Sequence, residues 1–258
     1  MVIGIILAYL FRTKNSSYAH AVYAGTSAAV IASIIAAVLF NTFSSGLHGR
    51  AEEIFEGVTM FVAAFLLSFM IVWMFKQRRM LKRHVEEQVS KAVERERKVE
   101  LFLLSFVAVF REGVETTIFL AAVGFLTNQS VLVGSILGIA SAVFLSYLLF
   151  VASKRINLRL FFNITSFLLV LFAAGLVAHG VHELQEARLI TVLGHKAWDI
   201  GWLVSEQSFF GSLLKSLFGY NADPSLVEIL AYFAYLALIF RVLVQINKSE
   251  SAAAAKAL

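Results

Sequence analysis

Six stretches of this chain are apolar for about 20 residues at a time, the length that crosses a bilayer core as an α-helix. They run from Val22 to Asn41, Ile54 to Phe75, Leu101 to Leu126, Val131 to Ser153, Leu160 to Ala178 and Leu226 to Ile246. Lipid offers backbone N–H and C=O groups no partners, so such segments must satisfy their own as helices. Composition agrees: 59% of the 258 residues are hydrophobic and only 15% are charged, with a mean hydropathy of +0.80. The chain reads as an all-α, polytopic membrane protein. The opening run from Val2 to Phe11 crosses only about half a bilayer. It has neither the basic start nor the small-residue cleavage site of a signal peptide, so it reads as the second half of a helix.

The chain contains no cysteine. Disulfides, thiolate metal sites and cysteine catalysis are thereby excluded, and a metal must be held by oxygen or imidazole, a donor set suited to hard cations. The formal charge of +5 does not point to nucleic acid, because the basic residues are confined to particular loops. Nine Lys or Arg residues lie between Lys76 and Glu100, three between Lys154 and Arg159, and others at Arg12, Lys14, Arg241, Lys248 and Lys256. The segments Ser44 to Glu53, Thr127 to Ser130 and Gly180 to Pro224 hold only Arg50, Arg188, Lys196 and Lys215. By the positive-inside rule the first set faces the cytoplasm and the second lies outside, which gives seven crossings and a cytoplasmic C-terminus.

Five regions follow. Residues 1–75 form a first three-helix repeat whose first helix is incomplete, and 76–100 a charged cytoplasmic connector. Residues 101–178 form a second three-helix repeat, 179–225 an extracytoplasmic loop, and 226–258 the last helix and an alanine-rich tail expected to fray. Three is odd, so the second repeat runs opposite to the first, the plan that puts a transporter's site near the midplane. The connector's interspersed acids and bases suit a solvated helix, or a surface for a regulatory partner. In the loop, Gly201 to Phe218 is amphipathic and aromatic, as expected of a helix in the outer interface.

The most informative charges stand within the third apolar stretch, at Arg111, Glu112 and Glu115. An uncompensated charge at mid-bilayer costs about 2.5–3.5 kcal/mol on insertion scales, so such groups usually serve an ion path. Residues three apart share a helix face, so Glu112 and Glu115 can aim two carboxylates at one point, with Arg111 compensating their charge when no cation is present. A salt bridge that merely fixes helix packing is the competing reading. Glu53 and Glu56 repeat the spacing at the outer start of the third helix, the stretch from Ile54 to Phe75, beside Glu52; they could capture a cation, or simply favour a helix N-terminus. His179, His182, Glu183 and Glu186 fall on one face at spacings of three and four, as an outer metal relay or a hydrated helix end. Glu228 reads as an interfacial acid, and Gly113 as the place where a helix would break. An intramembrane enzyme lacks support, because no HExxH, His triad or Ser/Lys dyad accompanies Glu112 and Glu115.

Arg111-Glu112-Gly113-Val114-Glu115 resembles the Arg-Glu-x-x-Glu signature of the oxidase-dependent iron permeases, the fungal high-affinity permeases and their bacterial ferrous-iron relatives. Phe55-Glu56-Gly57-Val58 with Ile71-Val72-Trp73-Met74, His182-Glu183-Leu184-Gln185-Glu186-Ala187 and Leu217 to Ser225 are similar to further segments of that family, in order. The family carries its signature twice, in the first and fourth helices; this sequence holds the fourth-helix copy, and Met1 falls just after the place of the other. The resemblance implies iron import across the plasma or inner membrane, with iron as cargo rather than a resident cofactor. It further implies ferric ion formed outside by a multicopper oxidase, haem peroxidase or iron-binding partner, and metal held by Glu112 and Glu115. A non-transporting iron-binding subunit or sensor is the other reading, made more plausible by the single signature.

Overall fold

The computed structural model describes residues 2–77, 89–90, 98–127, 131–151, 158–192 and 194–256. Among them the helices are α1 (Val2–Arg12), α2 (Ala19–Ser45), α3 (Arg50–Gln77), α4 (Lys98–Thr127), α5 (Val131–Val151), α6 (Leu158–Glu186), α7 (Phe209–Phe218) and α8 (Leu226–Lys256). A single turn of 3₁₀ helix, Ser16–Tyr18, joins α1 to α2. The described residues contain no strand, only one antiparallel bridge between Lys196 and Ser225. Four segments are long and apolar enough to cross a membrane: Ser16–Ser45, Arg50–Trp73, Asn163–Glu186 and Leu226–Ile246. Helix α4 is 30 residues long, but Arg111, Glu112 and Glu115 interrupt its apolar run. Most of the charged connector lies outside the described residues.

Three expectations change. Helix α4 runs unbroken through Gly113, so that glycine is not a hinge. Helix α6 continues past Ala178 to Glu186, which makes the His179–Glu186 face helical. It stops where Arg188 turns left-handed at φ 56° and the Leu189 N–H reaches back to the Leu184 carbonyl at 3.0 Å, a Schellman-type ending. Helix α8 carries on through the alanines of the tail to Lys256, as the high helix propensity of alanine allows.

The chain divides into two compact units, one of Met1–Gly46 with Trp73–Thr117, the other of Leu47–Val72 with Ile118–Leu258. In the first unit Ile6 and Leu10 of α1, Val22 of α2, Leu101 of α4 and Val89 form a buried cluster, so Val89 of the connector is a core residue. Helices α2 and α4 approach closely along a stripe of small residues. A Cβ on Gly25 would overlap the Phe102 carbonyl oxygen, and one on Gly113 would lie 2.5 Å from the Ser33 Cβ. Gly25, Ala29 and Ser33 recur every four residues, the small-residue spacing that lets membrane helices close on each other without a hydrophobic drive.

In the second unit α3 and α6 run antiparallel: a Cβ on Gly57 would meet the Gly180 carbonyl oxygen at 3.0 Å and the Glu183 Cβ at 3.2 Å, and Phe61 lies against Gly180. Met60, Ala63, Ala64 and Leu67 of α3 share a buried cluster with Ala122 and Leu126 of α4 and Ala173 and Leu176 of α6. Ser68 and Tyr235 tie α3 to α8 through a 2.8 Å hydroxyl contact.

The segment after α6 folds back onto it. Ser208 caps α7 by accepting the Gly211 N–H at 3.0 Å, and Gly219 ends it at φ 69°. Gly219 sits so close to Gly175 that a Cβ on the latter would be 2.5 Å from the Gly219 Cα. Gly175 is about 16 Å along the α6 axis from Glu186 at 1.5 Å per residue, so the end of α7 lies alongside α6 rather than beyond its tip, while Phe209 and Phe210 are exposed.

Candidate functional site

The first candidate is the middle of α4. Arg111 Nε donates to Glu115 Oε1 at 2.9 Å, one turn along the helix, so the structure brings the compensating cation onto Glu115. Glu112 is exposed, and Glu115 keeps 18% of its side-chain surface. The backbone that carries them is pinned. Gly113 is pressed against Ser33 of α2, and the Thr116 and Thr117 hydroxyls donate to the Glu112 and Gly113 carbonyls at 2.7 and 2.9 Å. Phe102, Phe106 and Phe110 stack along α4 on the approach to Arg111, with ring centroids 6.1 and 5.5 Å apart. The glycine inside the motif thus has a packing reason, and the Gly25-Ala29-Ser33 spacing is the sequence signal for it.

The second candidate, in the other unit, gathers acids from α3 and α6. Glu56 lies within electrostatic reach of Glu52, Glu53 and Glu186, and Glu183 within reach of Glu56, Glu53, Glu186 and His182. They meet because Gly57 and Gly180 let the two helices touch there. His182 faces Glu186 through Nε2 at 3.3 Å and Glu228 through Nδ1 at 3.0 Å, linking α6 to α8. His179, a turn earlier, is buried with its Nδ1 donating to the Gly175 carbonyl at 3.1 Å. Among the described residues no three His, Asp or Glu side chains converge tightly enough to hold a metal ion.

Glu228 stands in the first turn of α8, the helix N-terminus expected, but it is buried there. It is 2% exposed. Its Oε1 accepts the Ser225 N–H at 3.1 Å, its Oε2 accepts from Asn221 Nδ2 at 2.7 Å, and its own N–H donates to Ser225 Oγ at 3.3 Å. Ser225 and Glu228 therefore form a reciprocal capping box at the start of α8, and Ser225 Oγ donates onward to Gln185 Oε1 at 2.7 Å. The Ser-x-x-Glu spacing before an apolar run was the signal that could have found it.

The 199–223 segment and Leu126 line a half-open polar cavity of about 530 Å³, with Asp199, Ser205, Glu206, Ser212, Lys215 and Asp223 as its polar wall. Lys215 pairs with Glu206 at 2.7 Å, and Lys196 with Asp223. Burial pushes the Glu206 carboxyl up, but the Ala222 N–H and the Lys215 ammonium outweigh it and hold the group below its ordinary value of 4.5.

The model of the iron permease FTR1 family matches residues 1–249. The chain belongs to the iron permease FTR1 family. It is 32% identical to the ferrous iron permease EfeU of Escherichia coli O6:H1 (strain CFT073) over 92% of this chain and 87% of that one. To EfeU of Yersinia pestis it is 30% identical, over 92% and 85%. The same 32% likeness holds for a chain of Escherichia coli strain K12 described as a putative inactive ferrous iron permease EfeU. No solved structure matches significantly. As an FTR1 permease with apolar spanning helices, the chain is an integral membrane transporter rather than an enzyme.

Proposed function

We propose that this chain imports iron across the plasma or inner membrane through Glu112 and Glu115, with Arg111 balancing their charge while no ion is bound. The observation that carries the reading is a paired arginine and two carboxylates in the middle of a 30-residue apolar helix, an arrangement a membrane protein keeps at a cost and so uses. Iron is cargo, and no resident cofactor enters the reading. The acids Glu53, Glu56, Glu183 and Glu186, with His182, act as an outer relay that gathers the ion. Helices α1 to α6 and α8 make the seven crossings, as two inverted three-helix repeats followed by one more, with residues 76–100 and the C-terminus in the cytoplasm.

The relatives' name, ferrous iron permease, supports ferrous iron as the form supplied. Oxidation outside by a multicopper oxidase or a haem peroxidase would deliver ferric ion, the hard cation that carboxylates favour. The ion then moves by exchange of one carboxylate for another, and an inward-negative potential favours it by about 2.3 kcal/mol per charge per 100 mV.

Radioactive iron uptake into proteoliposomes tests this, with and without an external oxidant. Uptake that Glu112→Gln with Glu115→Gln abolishes supports a carboxylate-dependent permease. Iron bound by the chain but never delivered to the lumen, under either condition, makes it a non-transporting iron-binding subunit or sensor.

A further inference from the structure

We propose that α7 is a re-entrant helix: it descends from the outer surface to about the middle of the membrane, with lipid acyl chains on its apolar face and a hydrated, cation-attracting vestibule on the other. This holds whatever Glu112 and Glu115 do. Three helices of the second unit fix the depth. The apolar runs of α3 and α8 begin at Ile54 and Leu226, and each is about 20 residues long, one bilayer core. Gly57, one turn into the run of α3, meets Gly180 of α6. Ser225 and Glu228, at the start of α8, bond Gln185 and His182 of α6. The outer edge of the apolar core therefore lies near His182 to Gln185. Gly175, against which Gly219 packs, is about 10–15 Å inside that edge at 1.5 Å per residue. A bilayer core is about 30 Å thick, so the C-terminal end of α7 stands near its middle.

At that depth α7 divides its side chains. Phe210, Leu213 and Leu217 are exposed and fall at i, i+3 and i+7 along one face, level with the acyl chains. Ser212 and Lys215 lie on the opposite face and line the polar cavity. Ala222, on the chain that climbs back from Gly219 to α8, lines it too and gives its N–H to Glu206 at 2.8 Å. Irregular backbone is tolerated at membrane depth only where protein buries it or it borders water, and here it borders the cavity. The Lys215–Glu206 pair, 2.7 Å apart, likewise needs water or protein around it rather than lipid. Asp199, Glu206 and Asp223 on the cavity wall outnumber Lys215 and Lys196, the bases paired with Glu206 and Asp223. Low-dielectric walls focus the field of such a cleft, so it gathers cations in preference to anions. A hydrated ion thus passes through part of the outer leaflet before it sheds water, which shortens the apolar distance left to cross.

The cysteine-free sequence makes the test direct. Nitroxide labels are placed singly at Phe210→Cys, Ser212→Cys, Leu213→Cys and Leu217→Cys in the full chain, reconstituted into phosphatidylcholine liposomes. Electron paramagnetic resonance then reads their collisions with oxygen, which concentrates in acyl chains, and with a neutral nickel chelate, which stays in water. The Leu217 label is expected about 10 Å deeper than the Phe210 label, from seven residues of helix. The Ser212 label should meet the nickel chelate at least about tenfold more often than its neighbour at Leu213, because a polar complex partitions poorly into acyl chains. Equal depths at Phe210 and Leu217 would mean a helix lying flat in the interface and overturn the proposal. Free access of nickel to Leu213 and Leu217 would put α7 in water and overturn it too. Shielding of both from oxygen and nickel alike would mean that a partner protein or a second copy covers the face instead of lipid. A Ser212 label as closed to nickel as Leu213 would remove the vestibule. If labelled Ser212→Cys does not stay monodisperse, the depth difference between the exposed positions Phe210 and Leu217 still decides whether α7 re-enters the membrane.

Discussion

Replacing Gly113 by alanine places a methyl group where Ser33 of α2 already stands. The new Cβ would overlap Ser33 Oγ and lie 2.5 Å from Ser33 Cβ, whereas Ser33 Cα, at 3.9 Å, is an ordinary contact. Overpacking of this kind costs about 1–3 kcal/mol, but alanine in place of glycine inside a helix regains about 1 kcal/mol. The single substitution should therefore destabilise by only about 0–2 kcal/mol, which decides little alone. Ser33→Gly removes both clashing atoms. It costs about 1 kcal/mol for glycine in a helix and gives up the 2.8 Å bond from Ser33 Oγ to the Ala29 carbonyl. On that background Gly113→Ala meets no obstruction, and only its gain in helix propensity remains. The sign of the substitution should reverse, from destabilising in wild type to stabilising in Ser33→Gly, with a coupling of about 1–3 kcal/mol. Thermal melts of the four detergent-solubilised proteins read this at about 2–4 °C per kcal/mol for a chain of this size. Iron uptake should fall in Gly113→Ala and recover in the pair, because the wedge tilts the turn that carries Glu112 and Glu115. An equal effect of Gly113→Ala in both backgrounds would refute the α2–α4 contact.

Two further outcomes follow from the second unit. Glu228→Gln sets an amide N–H₂ against donors that now meet a carboxylate, at Ser225, Asn221 and His182. It should cost about 1–3 kcal/mol, read as a lower melting temperature, while Glu228→Ala should cost more by removing the α8 cap as well. Glu206 titrates below its ordinary 4.5 in the folded chain, so its contribution to holding the 199–223 segment is complete above that value. It is lost as pH falls through the lower, folded-state value. Hydrogen exchange of that segment should accelerate across this acid window in wild type, and Glu206→Gln should remove the dependence.

The apolar stretches gave the helices with little error, because twenty continuous apolar residues leave the backbone one solution in lipid. Val131 to Ser153 became α5, Val131–Val151, and Leu101 to Leu126 became α4, Lys98–Thr127. At α6 hydropathy marked the apolar span only to Ala178, while the three- and four-residue spacing of His179 to Glu186 already allowed a helix there. His179 to Glu186 is polar, yet it stays helical: His182 pairs with Glu228 of α8, while Glu183 meets the like charge of Glu56 on α3. Such partners are properties of packing and are invisible to periodicity. Glu228 stands in the first turn of α8 as read, but its burial among Asn221, Ser225 and His182 is likewise a matter of packing. The descent of Gly219 onto Gly175 had no local signal either, since a pair of glycines 44 positions apart becomes legible only when their backbones meet. Arg111 beside Glu115 was legible because one turn of helix separates them, and local geometry alone joins them.

The central claim is that the ion is held on α4, and the most direct measurement is low-temperature electron paramagnetic resonance of ferric iron bound to the solubilised chain. Iron supplied as ferric citrate should give a protein-bound signal in wild type. Glu53→Gln with Glu56→Gln should leave that signal in place and only weaken loading, because these acids gather the ion rather than carry it across. Glu112→Gln with Glu115→Gln should erase it. A full bound signal in the latter protein, with loss in the former, would contradict the account and move the binding site to the outer acids.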